Sequence, residues 1–261
     1  VAVGVGALGD ATGNNNTAVG FHAGASVSTG IDITAVGRDA AALATTANNT
    51  VAVGSVALAA LTTGVGNTAI GTGAMTVATT AANNAAVGLT ALGAATTTTG
   101  SSALGVGALG GVTTGISNVG IGLNAASTLT TGASNTFVGA ASVAGAAVAQ
   151  ATGIGATATA SAANTVALGF GTTASAAGSV AIGIDNGGAA ATTAVVNEIK
   201  LGTVLHTTNH LGKIKYGTAA NAQTTVGAAG GATAQPATPL GYFLLVNSAG
   251  VTVAVPFHNA V

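Results

Sequence analysis

Small apolar residues recur along most of the chain in one fixed register, each stroke closed by a glycine. The tripeptide runs Ala2-Val3-Gly4, Ala18-Val19-Gly20, Ala35-Val36-Gly37, Ala52-Val53-Gly54, Ala69-Ile70-Gly71, Ala86-Val87-Gly88 and Ala103-Leu104-Gly105. It continues in degenerate form as Gly120-Ile121-Gly122, Phe137-Val138-Gly139, Gly153-Ile154-Gly155, Ala167-Leu168-Gly169 and Ala181-Ile182-Gly183. Successive anchor glycines lie 16 residues apart, then 17 seven times, then 16, 14 and 14. Self-similarity at a fixed period is the signature of a stacked repeat, and it takes precedence over any single-element assignment.

A second apolar stroke follows each anchor. Three positions after the glycine stands Ala7, Ala23, Ala40, Ala57, Ala74, Ala91, Ala108 or Ala125, often followed by a larger residue such as Leu58, Met75 or Leu92. Thr pairs, Gly and Asn fill the interval to the next anchor, as in Thr62-Thr63-Gly64 and Asn83-Asn84, which is turn chemistry. Each unit therefore reads as strand, tight bend, strand, turn. Recurrent Gly and β-branched residues, with no 3.6-residue period, exclude helix. A unit this short cannot bury an apolar face alone, so units must stack into a parallel coil. Alternate side chains of a strand point to opposite faces, yet adjacent Ala and Val of the anchor are both apolar. One face fills the coil and the other meets a partner, for which another copy of the chain is the simplest choice.

Composition narrows the function. Only 9 of 261 residues carry full charge, the formal net charge is -1, and Gly contributes 42 residues. Without a basic patch, nucleic acid is not an expected partner. The uncharged stretch from Ala40 to Ile184 is broken by Thr, Asn, Ser or Gly every few positions, so no run reaches the roughly 18 to 20 apolar residues of a membrane-spanning helix. Val1 to Asp10 lacks the basic segment and apolar block of a signal peptide. Zero Cys permits an oxidising exterior without requiring it.

The units Asn14-Asn15-Asn16-Thr17-Ala18-Val19-Gly20-Phe21-His22-Ala23-Gly24 and Gly66-Asn67-Thr68-Ala69-Ile70-Gly71-Thr72-Gly73-Ala74 resemble the YadA-type head repeats of trimeric autotransporter adhesins, which also occur in bacteriophage fibre proteins. The closing 14-residue units around Gly169 and Gly183 are most similar to the adhesin form. The resemblance covers residues 1 to about 184. It implies an all-β fold, a left-handed parallel β-roll with coils of 14 to 17 residues, assembled as a homotrimer on a virion surface or in the extracellular space. Gly20, Gly37, Gly54, Gly71, Gly88, Gly105, Gly122, Gly139, Gly155, Gly169 and Gly183 are then its structural anchors.

Composition changes near Asp185-Asn186-Gly187-Gly188: the remainder holds 5 of the 9 charges and all 3 Pro. This divides the chain into a repeat roll at 1–184, a β-rich connector at 185–217, an Ala/Gly/Thr/Pro linker at 218–239 and a C-terminal module at 240–261. In the connector, 197–202 and 212–217 alternate polar with apolar residues and predict two strands. In the module, Tyr242 to Val246 and Val251 to Val255 predict a β-hairpin through Asn247-Ser248-Ala249-Gly250. The pattern from Pro239 to Phe257 is similar to a C-terminal module of phage virion proteins. An adhesin of the autotransporter kind would be expected to continue into a helical stalk and membrane strands, whereas a single closing hairpin favours the phage fibre. Val1 stands three positions before an anchor glycine, so a preceding part of the repeat is expected.

Candidate chemistry is sparse. His206 and His210 form the one close His pair and are the candidate metal ligands, but no Cys or nearby carboxylate completes a set; they read as loop residues, as do His22 and His258. No Ser-His-acid constellation can be assembled, and Gly-x-Gly patterns such as Gly105-Val106-Gly107 lack a phosphate-cradling helix or lysine. The reading is non-enzymatic and without a cofactor. Thr45-Thr46, Thr62-Thr63, Thr79-Thr80, Thr96-Thr97, Thr113-Thr114 and Thr130-Thr131 would stack into a stripe, either an ice- or glycan-facing surface or hydroxyls that satisfy turns. Asn16, Asn67, Asn84, Asn118 and Asn135 read as residues that tolerate a left-handed turn. Tyr242, Phe243 and Phe257, as aromatic anchors, are the contact candidates, with a host-surface glycan or a neighbouring virion protein as partner. The sequence thus favours a structural fibre protein of a phage appendage, ahead of an adhesin head or an ice-binding solenoid.

Overall fold

The computed structural model describes residues 1–183 and 190–201, and the two further strands Gly241–Val246 and Thr252–Phe257. Val1–Thr207 forms one compact unit and Thr208–Val261 a second. Every regular element among the described residues is a strand, and no helix is long and apolar enough to cross a membrane.

The anchor stroke of each repeat is a short strand, because Thr, Val and Ile fit an extended, half-buried backbone. These strands are β1 (Ala2–Val3), β2 (Thr17–Val19), β3 (Ile33–Val36), β4 (Thr50–Val53), β5 (Thr68–Ile70), β6 (Ala85–Val87), β7 (Ser102–Leu104), β8 (Val119–Ile121) and β9 (Thr136–Val138). From β9 onward two strands alternate per coil: β10 (Val143–Ala144), β11 (Thr152–Ile154), β12 (Thr159–Ala160), β13 (Val166–Leu168), β14 (Thr173–Ala174), β15 (Val180–Ile182), β16 (Thr192–Thr193) and β17 (Ile199–Leu201). Anchor strands join into one 13-stranded sheet and β10, β12, β14 and β16 into a second. All pairings within both are parallel and in register, with Ala18 beside Ala35, Ala35 beside Ala52 and Ala52 beside Ala69. The unit is a parallel β-solenoid of about eleven turns.

The structure corrects the expected second strand. In the 17-residue repeats that stroke is a tight turn: Leu58, Met75, Leu92 and Leu109 sit at φ of 50–51°, fully buried. Their amides still donate to the next coil, as from Leu58 N to Ala74 O and from Met75 N to Ala91 O, each 3.0 Å. A left-handed residue costs roughly 1–2 kcal/mol, which burial of a Leu or Met side chain, about 1.5–3 kcal/mol, offsets. After Gly139 the same position holds β-branched Val143, Thr159 and Thr173, and the coils run extended through β10, β12 and β14.

Asn16, Asn67, Asn84, Asn118 and Asn135 are not the left-handed residues; those are their predecessors, Asn15, Gly66, Asn83, Ser117 and Ser134. The Asn side chains point inward and are buried, forming a hydrogen-bond column. Asn84 Nδ2 donates to Thr98 O at 2.8 Å and Asn67 Oδ1 at 3.1 Å, while Asn84 Oδ1 accepts from Ser101 N at 2.9 Å. Asn135 repeats the pattern with Val148 O, Asn118 Oδ1 and Ala151 N. Each amide thereby satisfies main-chain groups at a corner that water does not reach.

Stacking runs past the composition change near 185. β15 pairs with β17, placing Lys200 beside Ala181, so a charged residue enters the column that Ala fills in most of the preceding coils. The second unit contains the antiparallel hairpin β18 (Gly241–Val246) and β19 (Thr252–Phe257), with Tyr242 opposite Pro256 and Phe243 opposite Val255. The expected strand at 212–217, the linker at 218–239 and the hairpin turn lie outside the described residues.

Close approach dictates the anchors. Gly88 has φ 138°, and a Cβ there would lie 2.4 Å from Gly105 O. Strain and overlap together predict a loss of about 3 kcal/mol or more per chain for Gly88→Val. Deleting residues 72–88, one whole period, keeps every remaining anchor in phase and is expected to leave the melting temperature within a few degrees. Thermal melts followed by circular dichroism check both; the opposite ranking refutes the stacking account.

In the central column of the anchor strands, otherwise mostly Ala or Gly, one site carries a large residue. Phe137 is fully buried, and a Cβ on its neighbour Gly153 would lie 2.6 Å from the ring. Gly153 therefore makes the space that Phe137 fills. Phe137→Ala is expected to cost about 3–5 kcal/mol. Gly153→Ala should destabilise the parent chain but not the Phe137→Ala variant, and a denaturant double-mutant cycle measures that coupling.

Candidate functional site

The outward side of the 13-stranded sheet is the most distinctive surface. Along each anchor strand the middle residue faces in and its two neighbours face out. The residue before each anchor glycine is Val, Ile or Leu, and Val3, Val19, Ile70, Leu104, Ile121, Ile154 and Leu168 are exposed, Leu104 by 52%. The residue after the glycine extends this surface through Phe21, Leu89, Val106, Leu123 and Phe170. With about 4.8 Å between strands, thirteen strands make a face roughly 60 Å long. At about 10 Å wide the whole face covers on the order of 600 Å2; the apolar column is one half of it, and the other outward position is Thr17, Thr34, Thr68, Ser102, Thr136 and Thr152 in six of the strands.

Within residues 1–183, charge interrupts this surface at one end only. Asp10, Asp32, Arg38 and Asp39 are the charged side chains of residues 1–184, and all lie in the first three repeats. Arg38 follows anchor Gly37; its guanidinium pairs with Asp39 and donates to Ser55 Oγ of the next coil at 3.1 Å. His22 Nδ1 stands 3.6 Å from Asp39 Oδ1, and the Phe21 and His22 rings lie 3.8 Å apart. Asp32, at the other end of β3, accepts from Asn15 Nδ2 at 3.0 Å. Sequence reading overlooked this cluster, although the signal was present: four charges within 39 residues, then none to Ile184.

The Thr pairs divide their roles. The first hydroxyl of each pair donates to the carbonyl of the next coil, from Thr45 to Thr62 O, Thr62 to Thr79 O, Thr79 to Thr96 O, Thr96 to Thr113 O and Thr113 to Thr130 O, at 3.0–3.3 Å. Thr130 donates to Ala146 O at 2.7 Å. Thr46, Thr63, Thr80, Thr97, Thr114 and Thr131 are exposed, a stripe one residue wide.

Among the described residues, no group of three or more His, Asp or Glu is placed to hold a metal ion. His206 and His210 lie outside the described residues. Tyr242, Phe243 and Phe257 fall within β18 and β19, in the second unit. Of the anchors, Gly20 through Gly155 each present their missing Cβ to the backbone of the following anchor, as Gly20 does to Gly37 O at 2.6 Å. No model of a known protein family matches the chain, and no curated protein sequence matches it.

Proposed function

We propose that this chain is a non-enzymatic fibre segment that assembles as a homotrimer, each copy turning the outward side of its 13-stranded sheet toward the threefold axis. The observation that carries this reading is the apolar face. On this sheet side a column of Val, Ile and Leu before each glycine runs beside a column of Thr, Ser, Ala and Val, and the face, on the order of 600 Å2, would be shared between the two neighbours met around a threefold axis. Its regular repeat gives every coil the same apolar column to set against another copy. Resemblance of the repeats to adhesin heads and phage fibres supports three as the number, and resemblance of the C-terminal pattern to phage virion proteins supports a virion appendage.

In this reading the solenoid is a rod. Its strands and turns are held by main-chain bonds between every pair of coils, so it resists bending without a large core. The one-residue Thr stripe keeps a charge-poor turn hydrated, a narrower surface than the apolar face and a weaker basis for ice binding. Attachment is assigned to the C-terminal hairpin, where Tyr242, Phe243 and Phe257 concentrate aromatic groups of the kind that dominate recognition; a host-surface glycan or a neighbouring virion protein is the partner.

Native mass should be near three times the 23.8 kDa chain. Leu104→Lys on a free surface would change stability by less than about 0.5 kcal/mol; on a trimer face it brings three ammonium groups together. The expected result is a shift to single chains with the β circular-dichroism signal intact. A parent chain that is itself monomeric refutes the assembly.

A fragment of Val1–Thr207, one compact unit, is expected to show a native mass three times its own chain mass and to lose attachment to host cells or virion. Full binding by that fragment would move recognition onto the solenoid.

A further inference from the structure

We propose that Asp32 of one copy pairs with Arg38 of the next, a contact between copies that sets their axial register; it rests on the trimer reading above. Around a threefold axis identical copies meet head to tail, each presenting one patch to a different patch of its neighbour. When strands run crosswise to that axis, the end of a strand in one copy meets the start of the same strand in the next. Asp32 immediately precedes β3, and Arg38 lies two residues after it. They are six positions apart across extended chain, roughly 20 Å at most, so both can be displayed at opposite edges of one coil without pairing inside it.

Both side chains are available for this. Asp32 is exposed, and its one hydrogen bond, from Asn15 Nδ2, leaves acceptor capacity on the carboxylate. Arg38 is 60% exposed and uses one terminal nitrogen on Asp39 and the other on Ser55, leaving further donors of its planar fork. In the coil of β8 the same two edge positions hold Ser117 and Leu123, and in the coils adjoining β3 they hold Asn15 with Phe21 and Asn49 with Ser55, so opposite charges meet only in the coil of β3 and only when copies are level. A slip of one coil would set Arg38 against Asn15 or Asn49 and Asp32 against Phe21 or Ser55, leaving Asp32 without a cationic partner on the neighbouring copy.

The chain has no cysteine, so thiols can be placed at will. The full chain carrying Asp32→Cys and Arg38→Cys together should yield covalent trimers with a short thiol-to-thiol cross-linker, while either single variant should not, because like positions lie on different corners. Asp32 has φ 56°, which Asn also tolerates. Asp32→Asn and Arg38→Gln provide a second measurement that keeps the backbone. Each should raise the trimer dissociation constant about fivefold to tenfold, and the double variant no further. A native trimer that fails to cross-link and shows independent losses overturns this contact and leaves the assembly standing. A monomeric parent chain overturns both.

Discussion

Main-chain hydrogen bonding between successive coils fixes their spacing, and every other feature has to fit that distance. Parallel strands stack at about 4.8 Å, which is less than the width of most side chains stacked face to face. Where one anchor lies over the next, there is no room for a Cβ. Gly54 would place one 2.6 Å from Gly71 O. The central column of the anchor strands carries Ala, and where Phe137 enters it the strands on either side supply Gly120 and Gly153, while a second column stacks Leu58, Met75, Leu92 and Leu109. The unusual composition is thus a consequence of geometry. A chain that spends its stability on main-chain ladders needs few large apolar residues, because burial of backbone in satisfied hydrogen bonds replaces a conventional core.

The anchors, their period and parallel stacking could be read from the sequence because each depends on spacing alone. Glycine at a fixed interval, preceded by a small and then a branched residue, admits one arrangement. Three features could not be read. Ala57-Leu58 and Val143-Ala144 are both short apolar strokes after an anchor, yet the first forms a left-handed turn and the second a strand. Length alone does not separate them, since the 16-residue coil after Gly4 keeps Leu8 left-handed; the fourth residue after the anchor is Leu, Met, Ala or Gly where the chain turns and β-branched Val143, Thr159 or Thr173 where it runs extended. The Asn column was misread for a related reason: Asn15-Asn16 and Asn83-Asn84 are dipeptides in which one residue turns the chain and the other points inward, and composition does not say which. The inward role depends on carbonyls contributed by the next coil, such as Thr98 O for Asn84. Those partners lie a repeat away and are identifiable only once the coils are stacked. The composition change near 185 also concealed that stacking continues to Leu201.

Scarcity of charge places unusual weight on the few charges present. Over most of the solenoid nothing but shape and apolarity distinguishes one coil from the next. The group of His22, Arg38, Asp39 and Asp32 makes the first three repeats chemically different from those that follow, and Lys200 does the same at the last described coil. Such residues contribute little to stability, since exposed ion pairs are worth about 0–1 kcal/mol. Their value is positional, in marking where along a monotonous rod a given coil lies.

In the assembly proposed above, a repetitive face set against copies of itself would have many nearly equivalent alignments. Sliding one 13-stranded sheet along its neighbour by a single coil would remove the contacts of one coil and leave the other twelve matched, so apolar burial would discriminate weakly between registers. Discrimination has to come from features that do not repeat. Two stand out among the described residues: the charged groups, which fall in the first coils and the last, and the shortening of the period after Gly139, which changes the outline of the coil. In the assembly proposed above each would penalise a slipped alignment by unpaired charge or mismatched outline rather than by loss of area. Discrimination against wrong alignments is one general route to specificity, and in that assembly it would fall to a handful of residues because regular stacking has made the rest alike.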